Sequence, residues 1–219
     1  MKTLFIEARR KFSDVDFSEL GKIKYKKIGL LASLQYIDLI HQVKRKIEGS
    51  GKKVFLAGGN AKYAGQILGC DVSAASAVKE KVDAFLLLGS GKFHALNVAA
   101  LGKPVLIWHP GSGIVEFPHE EIRKINARKK ANIIRLLSSD AVGVIVSTKL
   151  WQEKLNQALE IKRMLEKKGK KAFIFISDTV QKNELENFDV KIWINTACPN
   201  LVLDIPNAIN LESLYDVYK

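Results

Sequence analysis

Ala84-Phe85-Leu86-Leu87-Leu88-Gly89-Ser90-Gly91 sets the architecture of this chain. Five apolar residues follow one another without alternation, so the strand they predict is covered on both faces. Such strands belong to parallel sheets with helices on either side. The glycine-rich turn ends the strand, and the apolar stretch over residues 93–101 reads as a helix that Gly102 stops. Val105-Leu106-Ile107-Trp108 gives the next strand, before His109-Pro110-Gly111-Ser112-Gly113 breaks the chain again. A strand, a helix and a strand on short connections favour a parallel, right-handed crossover.

The pattern extends upstream. Ile28-Gly29-Leu30-Leu31-Ala32 is an apolar strand. Tyr36, Ile40, Val43 and Ile47 then recur at helical spacing, with Gly49 and Gly51 as stop residues. Val54-Phe55-Leu56-Ala57 is the following strand, and residues 4–6 read as a short strand at the start. Downstream, residues 120–138 read as a long basic helix and 142–146 as a strand. A helix over 155–168, ended by Gly169, leads to a strand over 172–176. Asp178 is placed to cap a helix reaching about Phe188. Residues 190–195 form a strand, and 211–218 a last short helix. The chain therefore reads as two similar parallel-sheet α/β lobes, residues 1–135 and 136–219, hinged near 113–140.

Composition bounds the partners. The 219 residues are 47% hydrophobic and 26% charged, ordinary values for a globular protein with a real core. Lys and Arg number 35 against 23 Asp and Glu, a net charge of +12. That excess admits an anionic partner, but the basic residues are scattered and lack the aromatic interleaving of single-strand readers. Two cysteines make no disulfide framework. The first ten residues are too little apolar for a signal peptide, and no run approaches the roughly 20 apolar residues of a membrane span. The expected compartment is a reducing cytoplasm, where cysteines tend to be reduced, metal-binding or catalytic.

Chemistry-bearing residues gather at predicted strand ends. Gly65-Gln66-Ile67-Leu68-Gly69-Cys70-Asp71 sets a thiol beside glycines that permit close backbone approach, although free cysteine is also a common buried hydrophobe. Gly89-Ser90-Gly91-Lys92-Phe93-His94 lies between a strand and a helix, where a phosphate or carboxylate would bind. It lacks the third glycine of the dinucleotide fingerprint and the Lys-Ser/Thr pair of a P-loop, so a plain turn with a helix start is an equal reading. The run Lys191-Ile192-Trp193-Ile194-Asn195-Thr196-Ala197-Cys198-Pro199-Asn200 ends a strand on the second thiol. Cys70, Cys198, His94 and His109 have zinc-ligand chemistry without a short ligand spacing. There is no Gly-x-Ser-x-Gly elbow, and no Ser-His-Asp hydrolase is indicated.

Taken together, the Gly65–Cys70 stretch, the Leu88–His94 stretch, Gly102-Lys103-Pro104-Val105, residues 142–152 and Ala197-Cys198-Pro199 resemble the radical enzyme family of diphthamide biosynthesis, the 2-(3-amino-3-carboxypropyl)histidine synthases. The likeness is to the middle and C-terminal domains of that family and covers nearly the whole chain. It implies Rossmann-like lobes facing each other, with one cluster cysteine from each of three domains. Three thiolates would hold a [4Fe-4S] cluster and leave one iron for S-adenosylmethionine. Reductive cleavage would yield a 3-amino-3-carboxypropyl radical that adds to a histidine of translation elongation factor 2. By this resemblance Cys70 and Cys198 match the second and third cluster cysteines. Gly89, Gly91 and His94 are then the residues expected to line the S-adenosylmethionine pocket.

Two departures accompany the likeness. The first domain and its cysteine are absent, so either a third ligand is expected from another chain, a second copy or a subunit, or from a residue such as His94, or the cluster is incomplete. Asn200 stands where the family pattern usually has arginine after Cys-Pro. Because Met1 precedes a strand-like run, a compact natural version or subunit is expected rather than a fragment. The alternatives are a non-catalytic or electron-transfer subunit of the same system, and a zinc- or nucleic-acid-binding α/β protein.

Overall fold

The structure, a computed structural model, describes residues 4, 6–90, 92–150 and 152–218. The chain divides into two compact units, Met1–Ile122 and Arg123–Lys219. Among the described residues no helix is long and apolar enough to cross a membrane.

The first unit runs β1 (Lys27–Ala32), α1 (Ile40–Glu48), β2 (Lys53–Phe55), α2 (Ser73–Ser76), β3 (Ala84–Leu88), α3 (Phe93–Ala99), β4 (Val105–His109) and β5 (Gly113–Glu116). Its sheet has the order β2-β1-β3-β4-β5. The first four strands are parallel and β5 is antiparallel to β4. The unbroken apolar run of β3 serves two cores. Leu86 and Leu88 pack with Ile28, Leu30, Val43 and Ile47 on one face. Phe85 and Leu87 pack with Leu31, Ala95 and Val98 on the other. Each of these Val, Leu, Ile and Phe side chains, fully buried, contributes about 1.5–3 kcal/mol relative to exposure.

Helix α4 (His119–Ser138) has residues on both sides of the division between the units. The second unit continues with β6 (Ala141–Ser147), α5 (Leu155–Lys167), β7 (Lys171–Ser177), α6 (Lys182–Leu185), β8 (Trp193–Asn195), α7 (Leu201–Asp204), β9 (Ala208–Asn210) and α8 (Leu211–Val217). Its sheet order is β7-β6-β8-β9, parallel throughout. Val142, Val144 and Val146 face α5 through Ala158, Ile161 and Leu165. Ile145 faces the other way, into a core with Trp193, Leu185 and Ile205. Trp193 lies across Gly143, where a Cβ would meet the indole at 2.3 Å. Only glycine allows that close approach.

The two sheets share one plan. In each, the first strand is central, the second lies on one side, and the third and fourth lie on the other. The chain reverses its direction of winding between β1 and β3, and again between β6 and β8. Such reversals open a crevice at the carboxyl ends of the strands, the usual ligand position in open α/β sheets.

Several expectations need correction. Leu4 and Ile6 are in no strand, and Phe5 lies outside the described residues. The long helix expected from Asp178 shrinks to one turn over Lys182–Leu185. Gln181, in extended conformation, is its N-cap, and the Asp178 carboxylate accepts hydrogen bonds from Thr148 and Thr179 instead. The helix expected around Tyr36 starts as a 3-10 turn over Leu34–Leu39 before α1. Strands β5 and β9 were not expected: one follows a two-glycine turn and the other is three residues between a proline and a helix.

The segment before β1 is held by side chains rather than by a sheet. Arg9 bridges Glu7 and Asp38, and Lys62 reaches Glu7 at 2.8 Å. The Tyr63 hydroxyl donates to the Glu7 carboxylate. Hydrogen bonds from Lys62, then Arg9, then Tyr63 pull the Glu7 pKa down from 4.5 to about 2. A depressed carboxyl contributes its attachment above its unfolded pKa and loses it as pH falls through the folded value. Glu7 is therefore expected to titrate near pH 2 when its carboxyl carbon is followed by NMR, with the midpoint moving upward in Tyr63→Phe. An ordinary midpoint of about 4.3 in the parent protein would show that this attachment does not form.

Candidate functional site

Cys70 sits at the tip of a two-residue turn. After β2 the chain leaves the sheet, then returns beside the carboxyl end of β1. Ala32 N–H donates to the Gly65 carbonyl at 2.8 Å, and Ile67 N–H to the Ala32 carbonyl at 2.9 Å. Gly65 makes this return possible: its φ is +73°, and a Cβ would meet Leu56 at 2.4 Å and the Leu30 carbonyl oxygen at 2.9 Å. Leu68 and Asp71 then exchange backbone hydrogen bonds, which leaves Gly69 and Cys70 as the turn. The Asn97 side-chain amide, on α3, donates to the Gly69 carbonyl. Asp71 accepts from the Ser73 N–H at 2.8 Å. Burial would raise the Asp71 pKa, but hydrogen bonds from Ser73 and Asn60 outweigh it and hold the carboxyl ionised. The result is an exposed thiol beside the winding reversal between β1 and β3.

Cys198 is held differently. It lies just past Thr196 and Ala197, which follow β8, beside the reversal between β6 and β8. Thr196 donates its N–H and its hydroxyl to the Ile145 carbonyl, at 3.2 and 2.7 Å. Asn195 accepts from the Ala197 N–H at 3.0 Å and donates to the Cys198 carbonyl at 2.8 Å. Asn210, its register partner on β9, donates to the Pro199 carbonyl at 2.9 Å. The Cys198 carbonyl also receives the Leu201 N–H at 2.9 Å, which starts α7. Cys198 itself is half-buried and free.

The remaining candidates lie in the first unit. Gly89 is buried at the end of β3 and donates its N–H to the Trp108 carbonyl at 3.1 Å. Gly91 lies outside the described residues. With Ser90, Lys92, His109 and Ser112, Gly89 lines a cavity of about 290 Å³. His94 stands in the first turn of α3, half-buried, and burial lowers its pKa so that the neutral imidazole is favoured. His109 accepts the Gly111 N–H on Nδ1 and stacks edge-on to Tyr36. His94 and His109 do not join Cys70 in a metal site: among the described residues no group of three His, Cys, Asp or Glu side chains is placed to hold a metal ion.

Asn97, Asn195 and Asn210 were not expected to matter. The sequence does carry a signal for two of them, since Trp193-Ile194-Asn195 and Ala208-Ile209-Asn210 both end an apolar run on asparagine. Neighbouring parallel strands that end alike put those amides side by side.

These features define an α/β protein of two parallel-sheet units that offers its thiols one per unit, each beside a winding reversal. The chain belongs to the family described as "Putative diphthamide synthesis protein", whose model matches residues 1–208. It is 32% identical to the 2-(3-amino-3-carboxypropyl)histidine synthase of Pyrococcus horikoshii, over 92% of this chain and 60% of that protein. The Methanocaldococcus jannaschii synthase is 30% identical, over 93% of this chain and 57% of that protein. A crystal structure of Dph2 from Pyrococcus horikoshii with a 4Fe-4S cluster superposes with a TM-score of 0.76 at 27% identity, covering 88% of this chain and 57% of that one. The chain thus spans about three fifths of the length of these relatives.

The donor chemistry of Cys70 and Cys198 suits an iron–sulfur cluster. Both are free thiols, the ligand type such clusters take.

Proposed function

We propose that this chain acts in the first step of diphthamide synthesis: transfer of a 3-amino-3-carboxypropyl group from S-adenosylmethionine to a histidine of translation elongation factor 2. Cys70 and Cys198 would be two thiolate ligands of a [4Fe-4S] cluster, with the third supplied by a second chain. The observation that carries this reading is the placement of both free thiols at strand-order reversals, in a family with a cluster-bearing solved relative. The bound cluster would supply the electron that cleaves S-adenosylmethionine reductively.

The chain's own contribution is presentation and binding. The Gly69-Cys70 turn puts one thiol in the open, and the Asn195 loop presents the other. Gly89, Gly91 and His94 would line the S-adenosylmethionine pocket. A neutral His94 imidazole offers a hydrogen-bonding group without adding charge. The protein would work in the cytoplasm, where its thiols stay reduced.

Two thiols rather than three also favour a supporting role, in which the chain completes another subunit's site. One experiment addresses both readings. The protein is reconstituted anaerobically with iron and sulfide, then given dithionite, labelled S-adenosylmethionine and elongation factor 2, with and without a second family subunit. Label on the elongation factor from the chain alone makes it the enzyme. Label that needs the added subunit and is lost in Cys70→Ala keeps the chain a cluster-binding half of the enzyme, and label that needs the subunit but survives that substitution makes it the supporting partner. No iron uptake and no label in either arm would refute the assignment.

A further inference from the structure

We infer that Asn195 and Asn210 form a positioning pair for Cys198, fixing the turn that carries the thiol. The inference rests on the reading of Cys198 as a cluster ligand. Asn195 is only 2% exposed, so its amide has no access to bulk water and must be satisfied inside the protein. Its orientation is set by the backbone. The atom that receives the Ala197 N–H must be the oxygen, and the atom against the Cys198 carbonyl must be the nitrogen.

The same logic orients Asn210. Its nitrogen meets the Pro199 carbonyl, which leaves its oxygen to accept the second Asn195 N–H at 2.7 Å. Two side chains thus hold residues 197, 198 and 199 in turn, one contact each, and lock onto one another. The Cys70 turn is built differently: Leu68 and Asp71 close it through their backbones, and Asn97 donates to the Gly69 carbonyl. The pair is built into the ends of β8 and β9, so the loop inherits the rigidity of the sheet. The Cys198 thiol is therefore oriented before any cluster assembles.

Two substitutions of equal size and equal charge test this, because the hydrogen-bond directions make them unequal. Asn195→Asp keeps the acceptor for Ala197 but loses both donors, to Cys198 and to Asn210. Asn210→Asp keeps the acceptor for Asn195 and loses only the bond to Pro199. The readout is alkylation of Cys198 by iodoacetamide in the cluster-free Cys70→Ser protein, taken at the high-pH plateau so that thiol ionisation drops out. Losing two bonds should raise the plateau rate about tenfold in Asn195→Asp, against about threefold or less in Asn210→Asp. The second readout is the EPR spectrum of the reduced, reconstituted protein, altered in Asn195→Asp and close to the parent in Asn210→Asp.

A purely structural role would lower the unfolding midpoint of both variants and leave the plateau rate and the spectrum unchanged, which would overturn the inference. Should Asn195→Asp fail to fold, Asn210→Ala removes both Asn210 contacts without a buried charge and is read the same way, against an expected rise of about threefold or more. If Cys198→Ser binds the cluster with the parent spectrum, the ligand reading has failed. The alkylation rates still decide the positioning role by themselves.

Discussion

Gly65→Ala is expected to lower the stability of the first unit by about 2–5 kcal/mol, the sum of a left-handed backbone penalty and an overpacked core. The residue has a φ of +73°, and the space a Cβ would need is taken by Leu56, Ile40 and the Leu30 carbonyl oxygen at 2.4, 2.6 and 2.9 Å. The two methyl groups could rotate away. The carbonyl belongs to the central strand β1 and has nowhere to go. The Gly65 carbonyl is also the acceptor for Ala32 N–H, so a shift here unpins the whole segment that leads to Cys70. Urea unfolding followed by hydrogen exchange at the Ala32 and Ile67 amides checks both halves of the prediction. Loss of protection at those amides together with a lower midpoint is expected. A change below about 0.5 kcal/mol, the range of neutral surface substitutions, would mean the segment is not held as described.

Gly143→Ala should be about as damaging to the second unit, costing about 1–3 kcal/mol. A methyl group there would sit 2.3 Å from two carbons of the Trp193 ring, and that ring is rigid, fully buried and packed edge-on against Phe175. Trp193→Leu should be destabilising by itself, by about 2–4 kcal/mol, because it leaves a cavity in the same core. The informative variant is the double one. With the indole gone, the alanine methyl enters the space the ring occupied, so the two losses should not add. A coupling of about 1 kcal/mol or more is expected from the full cycle. Simple additivity would show that glycine at 143 serves the strand in some way other than making room for the indole.

How far the sequence disclosed these features depended on what kind of physics fixed them. Residues 84–88 and 142–146 were legible because burial on both faces leaves an unbroken apolar run, and both proved to be central strands. The strands at β5 and β9 were not legible, since three or four residues carry no periodicity and their place is set by the strands beside them. The helix expected after Asp178 failed for a related reason: a good capping residue was spent on Thr148 and Thr179. At the site, the cysteines could be singled out by residue type, while Asn195 and Asn210 could not. Their role depends on strands β8 and β9 being neighbours in register, which only the fold reveals. Gly65 was noted for permitting close approach, and the structure gives that a specific content in its positive φ and three crowding atoms.

The resemblance read from the sequence named the family that its comparison with known proteins shows. Those relatives are longer, so what this chain does by itself turns on its two thiols. Whether the two thiols hold one cluster is decided by iron and sulfide content with EPR after anaerobic reconstitution, made on the parent chain, on Cys70→Ala and on Cys198→Ala. Iron and sulfide uptake with a reducible [4Fe-4S] signal is expected in the parent, and loss of that signal in each single variant. Uptake and a spectrum unaffected by either substitution would contradict cluster ligation by Cys70 and Cys198.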